Sequence, residues 1–162
     1  VGLDQILVKD VLTPRVVVFR LEERTKIGDL AEEIVAWNHS RIPLFSEKDP
    51  DYLSGYVMQR DIYRELLGGG REKTLREIAR PLKTVPELMR VDKLLQELFD
   101  AQEHICAVVD EHGGLAGIIT LEDMIEEVVG KEIVDEYDAV SDLRTFAKVL
   151  WIAKRRQSRS PQ

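Results

Sequence analysis

The chain has 162 residues, 44% of them hydrophobic and 33% charged, and a formal net charge of −7. This balance favours one globular module, or two half-sized units that share a core, over a disordered chain. No apolar run in the sequence approaches the roughly 20 residues that span a bilayer, and no signal-peptide pattern is present. The net negative charge also argues against duplex nucleic acid as the main partner, because binding phosphates requires a cationic face.

The first 35 residues predict three elements. Residues 3–12 predict a lead-in helix that stops before Pro14, because the residue preceding a proline avoids the helical conformation. Residues 16–19, Val-Val-Val-Phe, predict a short strand. Residues 25–35 predict an amphipathic helix, since apolar side chains recur there at helical spacing.

Two strands and a second helix follow in the first half. Residues 41–46 and 52–58 predict the strands, and the Asp-Pro-Asp sequence at 49–51 predicts the turn between them. The helix is expected at 61–67. Three glycines at 68–70 then begin a linker to the second half.

The second half repeats this order of elements. It predicts a lead-in, a short strand, an amphipathic helix, two strands joined by a Gly-containing hairpin, and a final helix that ends at Gly130. These elements are expected at 74–79, 83–85, 91–99, 105–110, 115–120 and 121–129. Each half therefore predicts a β-α-β-β-α unit with a leading helical turn, and the fold class is mixed α/β (α+β) with helices covering small sheets.

The clearest sign of duplication is a glycine-to-aspartate spacing that occurs twice. The segment from Gly55 to Asp61 and the segment from Gly117 to Asp123 have the same length, and they lie 62 residues apart. Two copies of one small unit usually bury their apolar faces together. We therefore expect the two halves to fold as a pair.

Thr120 and Asp123 are the chemically informative residues of the second copy. They lie three positions apart where a strand becomes a helix, so a hydroxyl and a carboxylate are expected on one side of the chain. Such a pair can bind a ribose diol, because a carboxylate accepts hydrogen bonds from two hydroxyls. Helix capping by Thr120, with Asp123 in the first turn, explains the same spacing and is compatible with ligand binding. The first copy has Met58 in place of Thr120, so the two halves are expected to differ in ligand capacity.

Three stretches resemble the tandem CBS-domain pair, or Bateman module, of the CorC/HlyC family of hemolysin-related proteins. That family is associated with magnesium and cobalt efflux and has the cyclin M transporters as animal relatives. The stretches are Val-Leu-Thr-Pro-Arg at 11–15, His-Ser-Arg-Ile-Pro-Leu-Phe at 39–45 and DEHGGLAGIITLEDMIEEVVGKEIVDEYD at 110–138. The resemblance implies a pseudo-two-fold pair of CBS repeats at 6–67 and 74–130. A Gly-rich linker would lie at 68–73, and an acidic segment, an amphipathic helix and a basic tail at 131–162.

The resemblance also implies an adenine-nucleotide site. Thr120 and Asp123 resemble its ribose-binding pair. The adenine slot would be formed by Val85, Pro86, Ile105 and Ala107. Ser40 and Arg41, in the turn of the first repeat that would lie across the cleft, resemble the part that meets phosphates, for which a hydroxyl and a guanidinium are natural donors. A solvated strand start explains Ser40 and Arg41 equally well.

The same resemblance predicts ligands, partners and location. ATP or AMP is the expected ligand, and Mg²⁺ is expected only with the nucleotide, because this ion prefers phosphates, waters and one or two carboxylates over an all-protein cage. An upstream membrane domain and a homodimeric partner are implied. The chain is thus expected to be a regulatory, non-enzymatic fragment of a membrane protein, at the cytoplasmic face of the cell membrane, that controls divalent-cation transport through dimer rearrangement.

Two other functions remain open from the sequence: a structural dimerisation module with a vestigial nucleotide site, and a regulatory domain of a soluble enzyme. Three apolar residues of the last helix are candidates for the dimer surface or, equally, for the core: Met124, Ile125 and Val128. The carboxylate series at 122–138 is expected to be a solvated face. Residues 141–151 predict a helix that packs on the CBS pair or a partner, or contacts an anionic membrane surface.

Overall fold

The structure, a computed structural model, describes residues 6–134, without the side chains of 131–134. In this range the chain forms seven strands and three α-helices, so the mixed α/β class predicted from the sequence is confirmed. Two compact units are present. We name Pro14–Thr84 the first-copy unit, and the described residues of Val1–Thr13 and Val85–Gln162 the second-copy unit.

The first-copy unit contains a three-stranded sheet in the order β2-β3-β4. Strand β2 (Leu21–Glu22) runs parallel to β3 (Arg41–Ser46), and β4 (Asp49–Met58) runs antiparallel to β3. Helix α1 (Gln59–Gly68) follows β4 directly and ends at Gly69, whose φ of +87° is a conformation that glycine adopts without strain. The core of this unit consists of Ile27, Leu30, Ile34, Ile42, Leu44, Val57, Ile62 and Leu75.

The second-copy unit contains a four-stranded sheet in the order β1-β7-β6-β5. Its strands are β1 (Thr13–Pro14), β5 (Lys83–Pro86), β6 (Ile105–Val109) and β7 (Leu115–Thr120). Helices α2 (Val91–Ala101) and α3 (Leu121–Val134) contact each other and bury apolar side chains with one face of the sheet. The core consists of Ile6, Val8, Val85, Val91, Leu94, Leu98, Cys106, Val108, Ile119, Leu121, Met124, Ile125 and Val128.

Each unit contains the lead-in segment of the other copy. In the second-copy unit, the N–H of Val8 donates to the carbonyl of Met89 at 2.8 Å. In the first-copy unit, the N–H of Leu75 donates to the carbonyl of Thr25 at 3.0 Å. The compact units therefore differ from the sequence repeats, because the lead-ins are exchanged between them.

The prediction of an amphipathic α-helix at 25–35 is wrong. Two 3₁₀ turns, Ile27–Leu30 and Ile34–Ala36, occupy this region. The N–H of Gly28 donates to the carbonyl of Arg71 at 2.8 Å, and glycine and β-branched residues are weak helix formers. The apolar spacing therefore correctly predicted that the side chains of Ile27, Leu30 and Ile34 are buried. It did not predict the backbone conformation of this segment.

Three boundaries also differ from prediction. Residues 15–17 form a 3₁₀ turn with Val16 and Val17 exposed, and the strand begins later, at β2. The hairpin turn lies at 47–48, because Ser46 already pairs with Asp49. Helix α3 continues through Gly130, where a glycine costs about 1 kcal/mol relative to alanine but does not by itself stop a helix.

In the part of the lead-in that the structure describes, the predicted helix at 3–12 is a single 3₁₀ turn, Val8–Asp10. No helix within residues 6–134 combines the length and the apolar character needed to cross a bilayer. The segment predicted to carry the C-terminal amphipathic helix and the basic tail lies outside the described residues.

Candidate functional site

Thr120 is the last residue of β7 and directly precedes α3. The β6–β7 register places it opposite Ile105, which fixes its position in the sheet. Its Oγ1 accepts a hydrogen bond of 3.1 Å from the N–H of Asp123. Thr120 therefore caps α3, as one of the two interpretations of the sequence predicted, and its hydroxyl proton is still available for donation.

Asp123 lies in the first turn of α3 and is partly buried. Among residues 6–130, whose side chains the structure describes, no group forms a hydrogen bond or an ion pair with its carboxylate. The positive end of the α3 dipole lies next to this carboxylate. An ionised, partly buried carboxylate in this position is suited to accept hydrogen bonds from two neighbouring hydroxyls of a ligand.

Apolar side chains adjoin Thr120 on the same face of the sheet. Ile105 and Ala107 are 2% and 4% exposed, and they alternate along β6 with Cys106 and Val108, which belong to the helix-covered core. Because side chains alternate between the two faces of a strand, Ile105 and Ala107 share the face of Thr120. The structure thus brings a hydroxyl, a nearby carboxylate and two apolar side chains together.

The other two residues predicted for the adenine slot lie on β5, next to β6. Val85 is 3% exposed, and its side chain packs in the core of the second-copy unit. Pro86 is exposed, and its carbonyl accepts a hydrogen bond of 3.2 Å from the N–H of Met89. A base could therefore meet the ring of Pro86 and the backbone of Val85, but not the Val85 side chain.

Ser40 and Arg41 belong to the first-copy unit. The carbonyl of Ser40 accepts a hydrogen bond of 2.9 Å from the N–H of Gln59, while the residue itself is exposed. Arg41 begins β3 and is paired with Met58 in the sheet. Their contact with phosphates stays a prediction.

The first-copy equivalent of Asp123 is in a different environment. Asp61 accepts hydrogen bonds from the guanidinium of Arg80 at 2.8 Å and from that of Arg64 at 3.2 Å. Met58, in the position of Thr120, is 5% exposed and has no hydroxyl. The first copy therefore offers neither half of the hydroxyl–carboxylate pair in an available form. Sequence reasoning did not identify Arg80, because no spacing rule links it to Asp61.

A cleft of about 750 Å³ lies elsewhere in the first-copy unit. Its walls are formed by Glu23, Leu44, Ser46, Asp49, Tyr52, Ser54, Arg76, Ala79, Arg80 and Pro81. Two arginines face two carboxylates here, so the charges balance and no ligand class follows from them. None of the residues predicted for the nucleotide site lines this cleft.

The three apolar residues of α3 that the sequence offered as a dimer surface are buried within the chain. Met124, Ile125 and Val128 are 0%, 3% and 0% exposed and belong to the core of the second-copy unit. The alternative that they are ordinary core residues is therefore correct. Of the carboxylates at 122–138, the described ones form no cluster of three that is placed to hold a metal ion.

The family model of the CBS domain matches residues 8–68 and 75–130. The chain is 39% identical over 146 residues to the UPF0053 protein sll1254 of Synechocystis sp., covering 90% of this chain and 42% of the relative. It is 34% identical over 146 residues to the magnesium and cobalt efflux protein CorC of Vibrio cholerae, covering 89% of this chain and 50% of CorC. The chain thus spans about half the length of the curated relatives it matches.

A solved structure extends this comparison to the fold. The CBS domain of the bacterial CNNM/CorC family Mg²⁺ transporter, in complex with ATP, is 35% identical and superposes with a TM-score of 0.73. The match covers 79% of this chain and 90% of that domain. Two of these relatives, CorC and the CNNM/CorC Mg²⁺ transporter, are named as efflux or transport proteins, in agreement with the prediction that the module is not an enzyme. The chain belongs to the CBS domain family, as a tandem pair of the kind found in CNNM/CorC proteins.

Proposed function

We propose that the chain is the regulatory CBS pair of a CorC-type membrane protein that transports magnesium, cobalt or a similar divalent cation. The support for this context is the similarity to CorC of Vibrio cholerae and to the CBS domain of a CNNM/CorC Mg²⁺ transporter. The transport activity, the upstream membrane domain and the location at the cytoplasmic face of the cell membrane are parts of the same proposal.

The ligand in this proposal is an adenine nucleotide, ATP or AMP, bound at the start of α3. The arrangement of Thr120 and Asp123 is the observation that carries it. The Asp123 carboxylate would accept from the ribose hydroxyls, and the base would lie against Ile105 and Ala107, which are 2% and 4% exposed and would be uncovered on binding. A CBS domain 35% identical to this chain has been solved with ATP, which supports the choice of ligand.

Mg²⁺ would enter with the triphosphate. This ion retains several waters and is usually held by one or two carboxylates together with phosphate oxygens. In the proposal it neutralises the ATP phosphates, which would otherwise approach a chain of net charge −7. Ser40 and Arg41 remain the proposed phosphate donors.

Regulation would follow from differential binding. A nucleotide shifts an equilibrium between two arrangements only if it binds one of them more tightly. We propose that the two arrangements belong to a homodimer and that the transport domain responds to the change. Since Met124, Ile125 and Val128 are buried within one chain, another surface would form the dimer.

A scaffold without ligand is the second candidate. The observation that favours it is the cap, because the Thr120 hydroxyl already has a structural role. In that case the module would dimerise, and its nucleotide site would be vestigial.

Isothermal titration calorimetry with ATP and AMP, each with and without Mg²⁺, separates the two candidates. The regulatory proposal expects saturable binding of at least one nucleotide. If neither ATP nor AMP bound at millimolar concentrations, the regulatory proposal would be wrong and the scaffold would be the better candidate. Sedimentation velocity with and without the bound nucleotide then tests whether the homodimer rearranges.

Substitution of Asp123 tests the location of the site. Asp123→Asn should weaken nucleotide binding about 10-fold or more, because hydrogen bonds to a charged acceptor are the stronger ones. Glu126→Gln, which removes an exposed charge one turn away on the same helix, is the matched control and should leave affinity unchanged. If Asp123→Asn bound the nucleotide as tightly as Glu126→Gln and the wild type, the proposed site at α3 would be wrong.

A further inference from the structure

His104 is held against the first turn of α3 by two separate contacts. Its carbonyl accepts a hydrogen bond of 2.9 Å from the N–H of Leu121. Its imidazole Nδ1 lies 3.3 Å from Oε1 of Glu122. The side chain of His104 is only 12% exposed, so the histidine side of this second contact is shielded from solvent.

The two residues that His104 holds are those that separate Thr120 from Asp123. Leu121 is 2% exposed and anchors this turn in the core, whereas the side chain of Glu122 is 46% exposed. The next residue after His104 is Ile105, which pairs with Thr120 in the sheet. Any movement of His104 would therefore be transmitted to both ends of the Thr120–Asp123 pair.

The first copy provides an internal comparison. Its backbone contact is conserved between the copies, since the carbonyl of Ser40 accepts from the N–H of Gln59 at 2.9 Å. The side-chain contact is absent from the first copy, because Ser40 stands in place of the histidine and Arg60 in place of the glutamate. The histidine–glutamate contact thus occurs in the copy that has the hydroxyl and the available carboxylate.

We propose that His104 is a positioning residue of the ribose site: through Glu122 it fixes the first turn of α3 at the geometry in which the Thr120 hydroxyl and the Asp123 carboxylate act on one diol. This proposal depends on the nucleotide site described under the proposed function. His104 needs no contact with the ligand, because it acts through the helix.

The test compares ATP with 2′-deoxy-ATP, which lacks one of the two ribose hydroxyls. His104→Ala should weaken ATP binding about 3- to 10-fold, the range expected for the loss of one hydrogen bond, and should weaken 2′-deoxy-ATP binding less. The preference for ATP over the deoxy form should therefore fall. A merely structural role would lower both affinities by the same factor and would overturn the proposal.

A conservative variant, a variant of the partner residue and a control complete the experiment. His104→Asn can keep a nitrogen donor near the position of Nδ1 and should restore most of the preference for ATP. Glu122→Ala removes the contact from the other side and should reproduce the effect of His104→Ala, so the test holds even where the histidine variant folds poorly. Glu103→Ala, at an exposed neighbouring position, should leave the preference unchanged.

Failure of this inference is distinguishable from failure of the proposed function. If the wild type binds ATP and His104→Ala keeps the wild-type preference for ATP over 2′-deoxy-ATP, only the positioning role is refuted. Wild-type protein that binds no adenine nucleotide would refute both.

Discussion

The guanidinium of Arg80 donates to the carboxylate of Asp61 at 2.8 Å, and Asp61 occupies in the first copy the position of Asp123 in the second. Arg64 bonds to the same carboxylate at 3.2 Å, and the Asp61 side chain is only 13% exposed. The carboxylate of Asp123 has no such partner among the described side chains, those of residues 6–130. Two equivalent aspartates therefore have different roles, one in holding the unit together and one that is available for a ligand.

The same substitution should consequently have different effects on stability at the two positions. We expect Asp61→Asn to lower the free energy of unfolding by about 1–2 kcal/mol, because it weakens charge-assisted hydrogen bonds at a mostly buried site. Asp123→Asn should change it by no more than about 0.5 kcal/mol, the size of a helix-dipole effect. Urea unfolding followed by circular dichroism measures both, and equal losses would contradict the distinction.

A surface ion pair predicts a local pH dependence. Lys26 Nζ lies 2.8 Å from Oε2 of Glu72, and this hydrogen bond, with the attraction between the charges, holds the pKa of Glu72 below its ordinary value of 4.5. A carboxylate with a lowered pKa in the folded state contributes stability above its unfolded pKa. That contribution is lost as the pH falls through the folded pKa. It should be small, because both side chains are more than half exposed.

NMR titration of the Glu72 carboxyl carbon tests this directly. In the wild type the midpoint should lie below 4.5, and in Lys26→Met it should return towards that value. An identical midpoint in the two proteins would show that the ion pair does not persist in solution.

The sequence predicted the second copy more accurately than the first. Helix α2 and strands β6 and β7 formed where expected, because strong apolar periodicity agrees there with good helix formers and a Gly-containing hairpin. In the first copy, Gly28 bonds to the backbone of Arg71, a contact 43 residues distant that no local pattern contains. The helix predicted there was therefore replaced by 3₁₀ turns.

Long-range pairing also limited prediction of the site. The spacing of Thr120 and Asp123 predicted a cap, and the cap is confirmed. The engagement of Asp61 by Arg80, and the contact between His104 and Glu122, depend on how distant segments meet. The exchange of lead-ins has the same origin, since two similar lead-ins give no local signal of which compact unit each will join.

One close approach in the sheet should be highly sensitive to substitution. A Cβ placed on Gly117 in β7 would overlap the carbonyl oxygen of Thr13 in the neighbouring strand β1. The carbonyl oxygen belongs to the backbone, and the position of the Cβ is fixed by the Gly117 backbone, so neither atom can move aside easily. Gly117→Ala should therefore cost about 3 kcal/mol or more in stability, at the upper end for overpacking. Thermal or urea unfolding measures the loss.

Two other glycines serve as comparisons for Gly117. A Cβ on Gly55 would lie 2.8 Å from the carbonyl oxygen of Arg80, so Gly55→Ala should be destabilising to a smaller degree. Gly68 lies in α1 with nothing within 4 Å of the added atom, so Gly68→Ala should be neutral or slightly stabilising. If Gly117→Ala were as stable as Gly68→Ala, strand β1 could not pair with β7 as described.

The cap of α3 allows structural and binding roles of Thr120 to be separated. Thr120→Val keeps the shape of the side chain but removes the hydroxyl, so it should cost about 1 kcal/mol of stability and also weaken nucleotide binding. Thr120→Ser keeps the hydroxyl and should retain most of both properties. If Thr120→Val lost stability but bound ATP as tightly as Thr120→Ser, the hydroxyl would serve the helix alone, and Asp123 would have to bind the ribose without it. Urea unfolding and calorimetry on the same three proteins decide between these outcomes.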